Sequence, residues 1–277
     1  MKFSLFTPFA RYLSYVVFIA TAFLMLAPLA WMSYSVFKPT GAIFRQPFAL
    51  PTSLDPSNLV NAWQLAQFGS LYINSVFVTV VSVLGILIFE GAAAYAFARL
   101  RFPGKRILFV LFLVGQMVPA QMVMLPSFVQ MSLLNLNDTL LSLIFQYWSW
   151  APFAVLFLRA SFLAVPRDIE DAARIDGAGR LTILWQVVLP MTRSAFSTVA
   201  VVYSLWIWND FLFPLVYIRS SDNYTVPLGL AMFQGTYTTY WGELLGAICI
   251  AIWPPLIVYL LLSRPIQSSM ATGSIKF

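Results

Sequence analysis

Apolar runs of about twenty residues, parted by short polar interruptions, recur along this whole chain. A bilayer's hydrocarbon core is about 30 Å thick and a helix rises about 1.5 Å per residue, so each run is about the length of one crossing. The pattern predicts an all-α polytopic membrane protein, a single membrane domain over residues 1–277. Six spans are expected, at about residues 13–36, 72–98, 107–128, 140–163, 195–218 and 244–262. The first run is too long for a signal-peptide core and lacks a small-residue cleavage site, so it reads as an uncleaved helix. Pro28 bends it by removing one backbone bond. In the third run Pro119 and Pro126 accompany Gln116 and Gln121, the pattern of a helix that is broken or lines a cavity.

The interruptions set the orientation. Arg99-Leu100-Arg101-Phe102-Pro103-Gly104-Lys105-Arg106 places four cations around a Pro-Gly turn, the signature of a short cytoplasmic loop. Of the 16 Lys and Arg residues, all but Lys38, Arg45 and Arg219 fall on that same side, which puts both termini in the cytoplasm. Residues 38–69 and 219–242 are then external, as is the turn Asn135–Asp138. Composition adds exclusions. Only 9% of residues are charged against about a quarter in soluble domains, and mean hydropathy is +0.82. The +6 net charge follows from the flanking cations, so no nucleic-acid partner is expected. With no His and one Cys, Cys249, the chain has no material for a His-based triad, a Cys/His metal site or an internal disulfide.

The most acidic interruption runs from Val165 to Pro190. Residues 166–177 read as a helix, with Pro166 at its start and Gly177 as its C-terminal glycine. About ten residues make a marginal helix in water. The pairs Arg167–Asp171 and Glu170–Arg174, each four apart, add only about 0.2–0.5 kcal/mol apiece. The helix must therefore gain its order by packing. Ala172 and Ala173 leave a low surface and Ile169 and Ile175 project as knobs, which suits a partner's groove. A lipid-surface helix would favour Lys and Arg opposite Trp, Phe and Leu.

This stretch resembles the EAA loop of permease subunits from bacterial ATP-binding-cassette importers. It has Asp171-Ala172-Ala173, three residues, Gly177, nine residues, then Val187-Val188-Leu189-Pro190, with Asp171 and Val187 standing for the family's Glu and Ile. Phe102-Pro103-Gly104-Lys105, Asp176-Gly177-Ala178, Trp208-Asn209-Asp210-Phe211 and Gly273-Ser274-Ile275-Lys276 resemble the carbohydrate-uptake group. The six-span form is similar to the smaller permease subunit of the maltose importer. The resemblance implies a multi-pass subunit of the bacterial cytoplasmic (inner) membrane, working by alternating access. Its implied partners are a second permease subunit, two copies of an ATPase and an extracytoplasmic sugar-binding protein. ATP and Mg would be bound by the ATPase, and this chain would hold no cofactor, no metal and no catalytic residue. Glu170, Asp171, Ala172, Ala173, Arg174, Asp176, Gly177, Leu189 and Pro190 are the implied coupling residues. The tail Thr272–Phe277 is expected between the ATPase subunits, and the external segment Thr225–Tyr240 against the binding protein. No Gly-x4-Gly-Lys-Ser/Thr phosphate loop occurs in the chain, which agrees with an energy source on another polypeptide.

Polar and aromatic residues within the spans supply pathway candidates. Gln146, Tyr147, Trp150, Trp206, Asn209 and Asp210 offer ring faces and hydrogen-bonding groups suited to a di- or oligosaccharide, and Trp148 adds another ring. Most such rings in a membrane protein are packing or interfacial residues. Intramembrane Glu90 and Asp210 also admit an alternative, an ion-coupled secondary transporter. Such a carrier has no need of a docking helix and usually carries paired repeats, which this sequence does not display.

Overall fold

The computed structural model describes residues 8–235 and 239–273, which are helical almost throughout. In chain order the helices are α1 (Pro8–Ser35), α2 (Thr40–Arg45), α3 (Ser57–Leu65), α4 (Phe68–Arg99), α5 (Lys105–Met117), α6 (Ala120–Leu133) and α7 (Leu140–Ser149). Then follow α8 (Pro152–Ala164), α9 (Arg167–Ile175), α10 (Arg180–Thr182), a π-turn (Ile183–Val188), α11 (Leu189–Trp208), α12 (Leu212–Tyr217), α13 (Val226–Leu230) and α14 (Trp241–Gly273). Among the described residues three helical stretches are long and apolar enough to cross a membrane: Tyr12–Ser35, Phe68–Arg99 and Ile183–Trp208. Two bent pairs bring the total to 5 when each pair counts as one span.

The bends follow from proline. The third expected span breaks into α5 and α6 at an angle of 105°. Val118 is extended there and Pro119 precedes α6, because a residue before proline is pushed out of the helical region. The fourth run, expected to be continuous over 140–163, bends by 46° between α7 and α8. Pro152 opens α8 and forces Ala151 to leave helical geometry. The fifth run is displaced toward the N-terminus relative to the expected 195–218. It enters through the π-turn and ends at Trp208. Pro190 offers no N–H to Gln186 and its ring crowds that carbonyl, a conflict that widening to a π-turn relieves. At the far end Asn209 Nδ2 donates to Leu205 O at 2.8 Å and the Leu212 N–H donates to Asp210 Oδ1 at 3.0 Å, so Asn209 and Asp210 stop the helix. Pro254 and Pro255, by contrast, lie inside the continuous α14.

The chain forms two compact units. The first comprises the chain up to Gln67 with Met232–Ile252. Its polar connection is folded: Lys38 is buried, and its Nζ donates to the carbonyls of Gln46 (3.2 Å) and Pro47 (3.0 Å). Asn58 Nδ2 donates to the carbonyls of Val36 (2.7 Å) and Lys38 (2.9 Å). Gly246 lets the backbone of α14 approach there, since a Cβ would come within 2.5 Å of Asn58 O.

The second unit comprises Phe68–Ala231 with the chain from Trp253 onward, and α4 is its axis. In lipid there is little hydrophobic drive between helices, so close packing at small residues holds them together. Ser75, Thr79, Ser82, Gly85, Gly91 and Ala94 line the buried side of α4, which packs most extensively on α8 and then on α7 and α11. Gly85 is required: any Cβ there would overlap the Trp148 ring, whose Nε1 donates to Ser82 O at 3.1 Å. Toward the expected outer side, Asn74 Nδ2 donates to Asp222 O (2.7 Å) and Tyr224 O (3.0 Å). Asp138 accepts the N–H groups of Arg219 and Ser220, each at 2.9 Å, and the Ser220 hydroxyl. These donors hold the Asp138 carboxyl down at about 2, the Ser220 hydroxyl contributing most.

Candidate functional site

The acidic stretch forms α9, nine residues long. Pro166 precedes the helix as its N-cap residue rather than opening it, and Asp168 and Glu170 occupy the first turn, where negative charge suits the helix dipole. At the other end Gly177 adopts φ +86°, a left-handed conformation natural to glycine. The Gly177 N–H donates to Arg174 O at 3.0 Å and the Ala178 N–H to Ala173 O at 2.9 Å. Those two crossed bonds make a Schellman motif, so the helix carries its own stop.

Its two faces differ sharply. Glu170 is buried, its Oε1 2.7 Å from Arg99 Nε, and both side chains are nearly inaccessible (3% and 5% exposed). Arg99 also donates through Nη2 to Val165 O at 2.6 Å. Ala173 packs with Ala178 against the core. Asp171, Ala172, Arg174, Ile175, Asp176 and Gly177 are exposed, Ile175 at 87%. Arg174 Nη1 donates to Asp171 Oδ1 at 2.6 Å and stands 3.8 Å from Glu170 Oε2. The Glu170–Arg174 proximity was expected; Asp171 takes Arg174 in place of Arg167, with which it forms no ion pair among the described residues. A recess of about 560 Å³ beside α9 is lined by Arg99, Arg101, Arg167 and Arg174 together with Glu170 and Asp171. Leu189 and Pro190 open α11 beyond the π-turn, half-buried and exposed respectively, and the π-turn itself packs on α9.

A second cavity, of about 440 Å³, lies at the end of α11. Tyr147, Trp150, Trp206, Asn209 and Asp210 line it, with Tyr203 and Phe213. Tyr147 Oη donates to Asp210 Oδ2 at 2.6 Å, while Oδ1 takes the Leu212 N–H, so both carboxylate oxygens have partners within the chain. Gln146 is not in this cavity. It is buried and accepts a hydrogen bond at Oε1 from Tyr217 Oη (2.9 Å), whose oxygen also lies 2.7 Å from Ser127 Oγ. Trp148 is turned onto α4, and Glu90 is buried on α4 outside the cavity lining. Of the tail Thr272–Phe277 only Thr272 and Gly273 fall among the described residues, and residues 236–238 of the external segment lie outside them. Arg99 and Tyr217 are the two partners that sequence reasoning missed. Arg99 reads there only as one of four loop cations, and nothing local ties it to residue 170.

Comparison with known proteins adds the following. A family profile described as "Binding-protein-dependent transport system inner membrane component" matches residues 91–271. The chain is 33% identical over 267 residues to the diacetylchitobiose uptake system permease protein NgcG of Streptomyces coelicolor, covering 95% of this chain and 88% of that one. It is 34% identical over 269 residues to the multiple sugar-binding transport system permease protein MsmG of Streptococcus mutans, covering 95% and 96%. Among solved structures it is similar to a chain of a bacterial ABC transporter involved in the import of the acidic polysaccharide alginate. The TM-score is 0.83 at 23% identity over 95% of this chain and 99% of that one, a likeness of fold.

Proposed function

This chain belongs to the family of binding-protein-dependent transport system inner membrane components, and we propose that it is one of two permease subunits of an ATP-driven importer for a di- or oligosaccharide. It is a membrane component and not itself an enzyme. The observation that carries the proposal is the two-faced α9: one side fixed to its own protein by Glu170, the other presenting Asp171, Ala172 and Ile175 to water. Ile169 (39% exposed) and Ile175 (87%) beside the small Ala172 give that face the low, knobbed relief that suits a partner's groove.

In this reading the chain crosses the membrane six times, the bent pairs each forming one span and α14 the last, with both termini in the cytoplasm. Two copies of an ATPase, holding ATP and Mg, sit beneath this subunit and a second permease, and an extracytoplasmic sugar-binding protein delivers the solute. Closure of the ATPase pair favours one pore conformation over the other and so shifts the population toward it. The oligosaccharide class is drawn from relatives named for diacetylchitobiose, arabinooligosaccharides and multiple sugars. Tyr147, Trp150, Trp206, Asn209 and Asp210 line the pathway, Asp210 holding its shape through Tyr147. The ion-coupled alternative is weakened by the same geometry, because Asp210 has both oxygens occupied and Glu90 lies away from that cavity.

Gly177→Val tests the docking step. Left-handed backbone strain of about 1–3 kcal/mol at a β-branched residue would unravel the end of α9. The variant is expected to remain in the membrane, lose co-purification with the ATPase and lose ATP-driven uptake. Full uptake by this chain alone in vesicles without nucleotide would overturn the proposal.

A further inference from the structure

Building on the docking reading, we propose that Arg99 is the positioning residue of α9: through Glu170 and the Val165 carbonyl it locks the docking helix to the inner end of α4, so that the two move as one body.

Arg99 is the last residue of the 32-residue α4. Its guanidinium makes two contacts on either side of Pro166: Nη2 donates to the carbonyl of Val165, the residue that ends α8, and Nε pairs at 2.7 Å with Glu170 Oε1 in the first turn of α9. Two contacts from one planar group fix an orientation as well as a distance, which a point-charge ammonium does not do. The pair is not needed for α9 to be helical, since the Schellman motif and the Arg174–Asp171 bond lie outside it. What it supplies is a connection. Glu170, one of the coupling residues that the EAA resemblance implied, therefore faces its own subunit and couples by holding α9 rather than by touching the ATPase.

The other end of the connection is the pathway. Trp148 Nε1 donates to Ser82 O on α4, its ring fills the space left by Gly85, and its neighbour Tyr147 holds Asp210 in the cavity. A displacement of α9 carried by Arg99 into α4 thus reaches the Tyr147–Asp210 contact through packed groups. Without that joint, α9 keeps its packing on the π-turn and the core but loses its charged tie to the inner end of α4.

The test uses the whole assembly in proteoliposomes, comparing unaltered chain, Arg99→Lys and the double variant Arg99→Met/Glu170→Gln. The double variant leaves no bare buried charge, so assembly with the ATPase is expected to persist. The measurement is sugar accumulated per ATP hydrolysed, with whichever of diacetylchitobiose or arabinotriose the unaltered complex accumulates. A ratio roughly five-fold or more below wild type is expected in the double variant, with hydrolysis continuing, and an intermediate ratio for Arg99→Lys. A role confined to stability would lower both activities together and leave the ratio unchanged, and that result overturns the proposal. As a readout independent of the sugar, spin labels at Asp168→Cys and Leu84→Cys in a Cys249→Ala background report α9 against α4. Their separation should ignore ATP in the unaltered chain and respond to it in the double variant; the same response in both overturns the proposal. No ATPase retained by the unaltered chain would defeat the docking reading itself, and is seen before any variant is made.

Discussion

The two ends of α4 are fastened by different chemistry. At the expected inner end the joint is a buried ion pair, Arg99 with Glu170, both side chains nearly out of reach of water. At the other end it is a relayed web of hydrogen bonds: Asn74 of α4 donates to the carbonyls of Asp222 and Tyr224, and Asp138, off α4, holds that same segment by accepting the Arg219 and Ser220 N–H groups. Water can replace a broken member of the outer web, whereas a bare charge left inside has nothing to replace its partner. The inner joint is therefore all-or-none and the outer one graded.

The largest expected effect is at the inner joint. Glu170→Ala leaves Arg99 buried without its carboxylate and should lower stability by about 3–5 kcal/mol. The checking measurement is thermal unfolding of the purified chain in lipid nanodiscs. A loss below about 1 kcal/mol would mean water reaches Arg99, and the contrast between the ends would fail.

Next comes the outer web. Asp138→Ala removes an acceptor for two backbone N–H groups and one hydroxyl, a loss of roughly 1–2 kcal/mol after allowance for solvent at this partly exposed site. It also carries a pH signature. The folded carboxyl is depressed to about 2 from an ordinary value of 3.8. A depressed acid stabilises the fold above its unfolded pKa, so this contribution is full above about pH 4 and fades as pH falls through about 2. Asp138→Asn should flatten the stability curve in that window alone.

Much of this was legible in the sequence, for identifiable reasons. Spans one and two are uninterrupted apolar runs, and the Pro119 break is announced by the residue that causes it. The bend at Pro152 was not legible, because proline inside an apolar run is ordinary in membrane helices. The helix expected over 195–218 ends at Trp208 instead, because Asn209 and Asp210 read as polar residues within a helix whereas their side chains end it. The outward face of α9 follows from motif spacing. The inward turn of Glu170 does not, since Arg99 lies far away in sequence. Gln146 and Tyr147 are neighbours in sequence, yet successive helical positions point about 100° apart, so only one of them reaches the cavity.

The smallest expected effect isolates which arginine neutralises Glu170. Arg174 stands 3.8 Å from Oε2 with a side chain 56% exposed, while Arg99 lies 2.7 Å from Oε1 inside the protein. Exposed pairs within one helix are worth about 0.3–0.5 kcal/mol because water screens them. Arg174→Ala should thus change stability by no more than about 0.5 kcal/mol, and the change should shrink further in high salt, where surface charges are screened. Nanodisc unfolding at low and high salt measures both. If Arg174→Ala proved as damaging as Glu170→Ala, the carboxylate would be held from the water side of α9, and the strict division between a buried anchor and an exposed docking face would not stand.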